Sequence, residues 1–170
     1  MLDLESLEWE AIASNGKFTA QLIIKVQAGD DSALDELYQQ LCHQNTVSKV
    51  AFAAVPHLIS IARNPLNIKR RAMLLSTIGS IVASRQCYSR SAAKLPDEWK
   101  TDFIQACDEA RILAAESLLT PALDTEDSFQ LIGALAALHG HSNLALLLES
   151  GLNFYCPECG EYIEFGEGNC

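Results

Sequence analysis

Residues 112 to 170 contain no lysine or arginine, although they hold nine of the 22 acidic residues of the chain. All 12 basic residues lie before them, and the formal net charge of the chain is -10. An acidic surface repels the phosphate backbone of nucleic acids and attracts cations. The imbalance argues against nucleic-acid binding and predicts a basic protein partner for the C-terminal third. The alternative is that these acids only solvate the end of the chain.

Long apolar runs are also missing. No stretch reaches about 18 apolar residues without a charge, and the start, MLDLESLEWE, lacks the apolar segment of a secretion signal. We therefore expect a cytoplasmic protein without a membrane-spanning segment. In that compartment the six cysteines are expected to be thiols or metal ligands in preference to disulfides.

Motifs of common catalytic chemistry are absent from the sequence. It contains no H-E-x-x-H pair, no G-x-S-x-G nucleophile and no glycine-rich phosphate loop. Of its four histidines, His57 is expected to be half-exposed on a helix flank, and His43 to satisfy a helix terminus. The other two, His139 and His141, flank a glycine. We predict that the protein is not an enzyme.

Apolar residues recur at helical spacing through most of the chain. In VSKVAFAAVPHLISIA, residues 47 to 62, they form one continuous stripe. Asn45 or Thr46 is expected to cap this helix, Pro56 to kink it and Asn64-Pro65 to end it. Residues 85 to 95 are predicted to be a loop. Further helices are predicted over Lys17 to Ala28, Ser32 to Leu41, Asn67 to Ser84, Pro96 to Leu119, Ser128 to Leu138 and Ser142 to Leu148.

Short turns arrange these helices in pairs, which is typical of α-solenoids, in which stacked pairs share one core. Residues 35 to 65 and 67 to 84 resemble HEAT-like repeats. The matching positions are Ala54-Val55-Pro56, Leu58-Ile59, Arg70-Arg71, Leu74-Leu75 and Gly79. The sequence is similar to a group of bacterial HEAT-like proteins with an HQxTV turn, here His43 to Val47, which often end in a CPxCG hairpin.

The chain ends with FYCPECGEYIEF, Phe154 to Phe165, which contains such a motif. Aromatic and β-branched residues flank a turn that contains Pro157 and Gly160, and this pattern predicts two short strands. We therefore predict an all-α, HEAT-like α-solenoid, or armadillo-like superhelix, over residues 1 to 150. A small β-hairpin is predicted to follow over residues 151 to 170.

The hairpin contains one Cys-x-x-Cys pair, Cys156 and Cys159. A structural zinc ion requires four ligands, and a zinc ribbon supplies them from two such pairs. Here Cys170, His139 or His141 would have to complete the set. A metal-free cap over the last helices and a redox pair are the alternatives, and we expect no cofactor.

Small acidic HEAT-like proteins resemble immunity proteins that neutralise bacterial toxins by binding them. The resemblance implies a protein-binding module that inhibits a basic toxin domain. The alternative is a HEAT-like enzyme or cofactor-handling protein of the lyase type. The residues expected to bind the partner are Asp124, Glu126, Asp127, Glu158, Glu161, Glu164, His43, Gln44 and Asn45.

The zinc question can be decided by elemental analysis. If the Cys156–Cys159 motif is only a cap, protein prepared without added zinc will contain far less than one equivalent. A chelator will then leave its melting temperature unchanged. Stoichiometric zinc together with a lower melting temperature on chelation would contradict this expectation, because structural zinc contributes directly to the free energy of folding.

Overall fold

The structure is a computed structural model, and it describes residues 1–42, 47–64, 67–87, 94–149, 154–155 and 162–163. Eight α-helices are found in this part of the chain. They are α1 (Glu8–Ile12), α2 (Gly16–Gln27), α3 (Asp31–Leu41), α4 (Lys49–Ala62), α5 (Ile68–Cys87), α6 (Asp97–Leu118), α7 (Thr125–Leu138) and α8 (Ser142–Glu149).

Helix ends follow local capping chemistry. The side chain of Asp30 accepts a hydrogen bond of 3.2 Å from the backbone amide of Ala33 and so caps α3. Asp124 caps α7 in the same way through the amide of Asp127, at 2.9 Å. Gly29 and Gly140 have φ angles of 103° and 85°. Since side chains disfavour this left-handed geometry, the two glycines allow sharp turns after α2 and α7.

The helices pack in two layers. Helices α2, α4 and α6 lie side by side in the first layer, and α3, α5 and α7 lie side by side in the second. Contacts of α2 with α3, of α5 with α4 and α6, and of α6 with α7 join the two layers, so the core lies between them. Helix α4 is central, since ten of its 14 residues are buried. Helix α1 packs on α2 and α4, and α8 packs on α5 and α7.

Several predicted helix boundaries need correction. Helix α7 begins at Thr125 instead of Ser128, because Asp124 provides the cap. Helix α5 continues to Cys87 beyond the predicted end at Ser84. The short helix α1 was not predicted, and its five residues are too few to show a period. Helix α4 passes through Pro56, and Ser48 is its N-terminal flanking residue. The expected caps, Asn45 and Thr46, lie outside the described residues.

The predicted fold class, an α-solenoid with a C-terminal β-hairpin, is wrong. The described residues form an all-helical fold, and they do not show a hairpin over Phe154 to Phe165. Extended pairing is limited to the dipeptides β1 (Phe154–Tyr155) and β2 (Tyr162–Ile163), antiparallel, with Phe154 opposite Ile163. Two residue pairs are too few for an independent element. In addition, α8 lies on α5 and α7, whereas a uniform superhelix would place it beside α6.

Helices α5 and α7 approach each other closely at Gly79. A Cβ atom added to this residue would lie 2.5 Å from the Cα and 2.7 Å from the Cβ of Ala134. Both distances are far below van der Waals contact. The two helix backbones can therefore touch only because residue 79 has no side chain.

We expect the substitution Gly79→Ala to destabilise the protein. Alanine gains about 1 kcal/mol of helix propensity over glycine. Overpacking costs about 1–3 kcal/mol, and the clash with backbone atoms of α7 cannot be relieved by rotating a side chain. The difference is an expected net loss of up to about 2 kcal/mol in the free energy of unfolding, which urea denaturation would measure.

The matched control is Gly133→Ala in α7. A Cβ atom there would meet its nearest neighbours, Ala145 O and Leu148 Cβ, at 3.5 Å, which is ordinary contact. This variant should be neutral or more stable than the original protein. Equal destabilisation by both substitutions would show that the α5–α7 contact is not special.

Candidate functional site

A groove of about 590 Å³ lies on the second layer, between α3, α5 and α7. Its lining includes five glycine or alanine residues. These residues are Gly79, Ala83, Gly133, Ala134 and Ala145. The close approach of α5 to α7 therefore also forms one side of the groove.

Charged residues line the groove at the N-terminal ends of three helices. Asp31 and Asp35 come from α3, Lys69 and Arg70 from α5, and three acids from the start of α7. The acids of α7 are Asp124, Glu126 and Asp127. The groove thus has five carboxylates and two basic side chains, and its net charge is negative.

Both basic side chains are paired with acids of the groove. Arg70 Nη1 lies 3.0 Å from Asp31 Oδ1, and Arg70 Nη2 donates to the backbone carbonyl of Val26. The Arg70 side chain is only 17% exposed, so this guanidinium joins α5 to the end of α2 and the start of α3. Lys69 Nζ lies 2.7 Å from Asp124 Oδ2. These pairs neutralise two of the five carboxylates and leave a negative excess.

Asp127 occupies an unfavourable position for a carboxylate. Its Oδ2 atom is buried and receives no hydrogen bond from the described residues. Burial and the neighbouring Asp124 carboxylate raise the pKa of Asp127 above its ordinary value. By contrast, hydrogen bonds from Lys69 and the Asp127 amide lower the pKa of Asp124. Carboxyl groups whose ionised form is disfavoured by their surroundings, and which line a groove, are common at functional sites.

Three of the residues predicted to bind a partner, Asp124, Glu126 and Asp127, meet in this groove. Their role in binding stays a prediction. The other predicted site residues lie outside the described residues. These are His43, Gln44, Asn45, Glu158, Glu161 and Glu164 for the partner, with Cys156 and Cys159 for the metal.

Asp31 and Asp35 were not predicted as site residues from the sequence, yet they line the same groove as the acids of α7, on the other side of α5. The charge imbalance pointed to the C-terminal third, whereas the first 111 residues are nearly neutral in sum. The sequence did contain a different signal for this site, namely acidic residues at the starts of two helices. The starts of two helices can lie at the same edge of a helical layer. Only the packing of α3 and α7 on the same helix brings them together.

The histidines and cysteines do not form a metal-binding cluster in the described part of the chain. His57 is 6% exposed, so the prediction of a half-exposed side chain was wrong. His139 and His141 are exposed on either side of the turn after α7. Burial raises the pKa of Cys107 to about 12, which keeps this thiol protonated and unreactive.

No protein-family model, curated protein or solved structure matches this chain. Among the described residues, no helix is both long and apolar enough to cross a lipid bilayer.

The position of Asp127 leads to a prediction about stability. Because the pKa of Asp127 is raised in the folded protein, ionisation of its carboxyl group lowers the free energy of unfolding. This loss of stability is complete above the raised pKa. We expect Asp127→Asn to be more stable than the original protein at neutral pH, although it gives up some attraction to the N-terminus of α7. The advantage should disappear as the pH falls below the ordinary pKa of aspartate, about 4.

Thermal unfolding at several pH values would measure this difference. The control is Glu126→Gln, which removes one charge from the adjacent exposed position and should change stability little. If Asp127→Asn were less stable than the original protein at neutral pH, the Asp127 carboxylate would be a stabilising group and not a sign of a binding site.

Proposed function

We propose that this chain is a protein-binding module whose groove receives a basic segment of a partner. The observation that supports this proposal is the groove charge, five carboxylates against two basic side chains that are already paired. Lysine and arginine have long aliphatic stems and charged ends. Their stems suit a floor of glycine and alanine, and their charged ends suit carboxylates on the rim.

The arrangement of the acids favours an elongated segment over a single ion. Asp31 and Asp35 belong to α3, and Glu126 and Asp127 belong to α7, so the acids lie on both sides of α5. A peptide segment with spaced basic residues can contact both sides together. A nucleic acid is disfavoured because its phosphates would meet this negative rim.

We further propose that binding inhibits the partner, as an immunity protein inhibits a toxin. The resemblance of about residues 30 to 84 to HEAT-like repeats, and of Leu41 to Ala62 to a bacterial group of such proteins, supports this reading. The net charge of -10 supports it as well. Many nucleases are basic proteins because they bind phosphate backbones. An acidic inhibitor would gain association rate from the opposite charges and would cover the surface that the substrate needs.

The groove can be tested with two double variants of equal charge. Asp35→Lys with Glu126→Lys reverses two exposed acids that line the groove. Glu36→Lys with Glu116→Lys reverses two exposed acids outside it. Each protein would serve as bait at low salt in an extract of the source cells, and retained proteins would be identified by mass spectrometry.

We expect a basic protein to be retained by the original chain and by the Glu36/Glu116 variant and to be lost by the groove variant. The association rate with the purified partner should fall steeply between low and physiological salt, while dissociation changes less. Equal loss with both variants would mean that net charge alone attracts the partner. Equal retention by both would place the contact surface outside the groove.

Inhibition requires a separate measurement. The enzymatic activity of the purified partner should fall as the original chain is added, and the groove variant should restore it. A partner that binds in the groove and stays fully active would contradict the immunity reading and leave the binding function intact.

A further inference from the structure

The N-terminal strap, which we define as residues 1 to 6, is attached to helix α1 and to the first helical layer by three polar contacts. The ring atom Nε2 of His57 in α4 lies 2.8 Å from the carbonyl oxygen of Leu2. Trp9 Nε1 donates to the carbonyl oxygen of Asp3, also at 2.8 Å. The amino group of Met1 pairs with Asp102 in α6. The strap therefore joins α1, α4 and α6.

His57 lies at the centre of this attachment. Its side chain is 6% exposed, and its ring centroid is 5.9 Å from that of Trp9, which is 1% exposed. The apolar side chains of Leu2 and Leu4 pack against the same core. Because Nε2 must donate to the Leu2 carbonyl, a neutral ring carries its proton on Nε2, and further protonation occurs at Nδ1.

We propose that the N-terminal strap is a pH-sensitive latch, in which protonation of His57 releases residues 1 to 6 from the helical body. A protonated imidazole would place a full charge in a site closed by Trp9 and the strap. Burying a charge is costly unless it is paired, and release of the strap lets water reach the ring. The proton comes from solvent and stays on the ring.

The charged groups around His57 give the direction of the effect. Burial lowers its pKa, and the Met1 amino group adds to this by repulsion. The hydrogen bond to Leu2 and the charge of Asp3 act in the opposite direction but are smaller than the effect of burial. Asp102 of α6 is paired with the Met1 amine. In α1, Glu10 is paired with Lys17, and Glu8 is exposed.

The lowered pKa means that the open strap binds a proton more readily than the closed one. The closed form is therefore favoured above the ordinary pKa of histidine, about 6.5, and loses its advantage as the pH falls below that value. Release would uncover Trp9 at one end of the first layer. The groove of the proposed function lies on the second layer, so the two can be tested independently.

Hydrogen exchange of the intact chain tests the latch. Protection factors would be compared between about pH 7.5 and about pH 5.5, the range in which an imidazole titrates. Protection of the amides of the strap and α1 should fall several-fold at the lower pH. Protection of α4 and α5 should stay nearly constant. Parallel loss of protection in the strap and in α4 would indicate global unfolding and would overturn the proposal.

Substitutions assign the effect to His57. The variant His57→Gln keeps a donor for the Leu2 carbonyl but does not titrate, so its strap should respond little to pH. The control His141→Gln removes an exposed imidazole and should leave the response unchanged. A His57→Gln protein that loses strap protection as the original chain does would overturn the proposal.

A second readout does not depend on the folding of the His57 variant. In a Trp99→Phe background, the fluorescence of Trp9 should change with pH as the strap opens. Asp3→Asn removes a carboxylate that stabilises the protonated His57 ring in the closed form. The pKa of His57 in the closed form then falls further below that of the open form, so the midpoint should move to higher pH. A midpoint that stays in place or moves downward would contradict the latch.

Discussion

The contact between α5 and α7 at Gly79 and Ala134 determines much of the rest of the structure. It lets two helix backbones touch, and α5 also packs on α3, α4, α6 and α8. Gly79 and Ala134 also line the groove of the second layer. A single close-packed position thus joins the helices of this layer and helps to form the groove beside them.

The electrostatic character of the groove follows from the helix ends that meet there. Helices favour acids at their N-termini, where backbone amides are unpaired. Asp124 meets this demand as a cap and is stabilised by Lys69. Asp127, three residues later, is partly buried beside it, and its carboxylate is less well satisfied. Local helix chemistry explains Asp124, but it does not account for the buried, unpartnered Oδ2 atom of Asp127.

The sequence predicted the helices well because their apolar residues repeat with the helical period. A predicted helix start was wrong where the capping residue lies outside the periodic region, as for α7, which is capped by Asp124. The predicted fold class, an α-solenoid with a C-terminal β-hairpin, was wrong. A CPxCG motif between aromatic residues indicates strand propensity, but two described residue pairs do not make a hairpin element. Propensity on its own does not supply the packing partner that a two-stranded sheet needs.

By itself, the sequence determined that the described residues are mainly helical and that the C-terminal third is acidic. Both are properties of short windows of residues, namely their period and their charge. Only the tertiary structure decided that Asp31 and Asp35 share a groove with Asp124, Glu126 and Asp127. It also decided that His57 is buried under the N-terminal strap. These features join residues that lie more than 50 positions apart, and their proximity depends on how the helices pack.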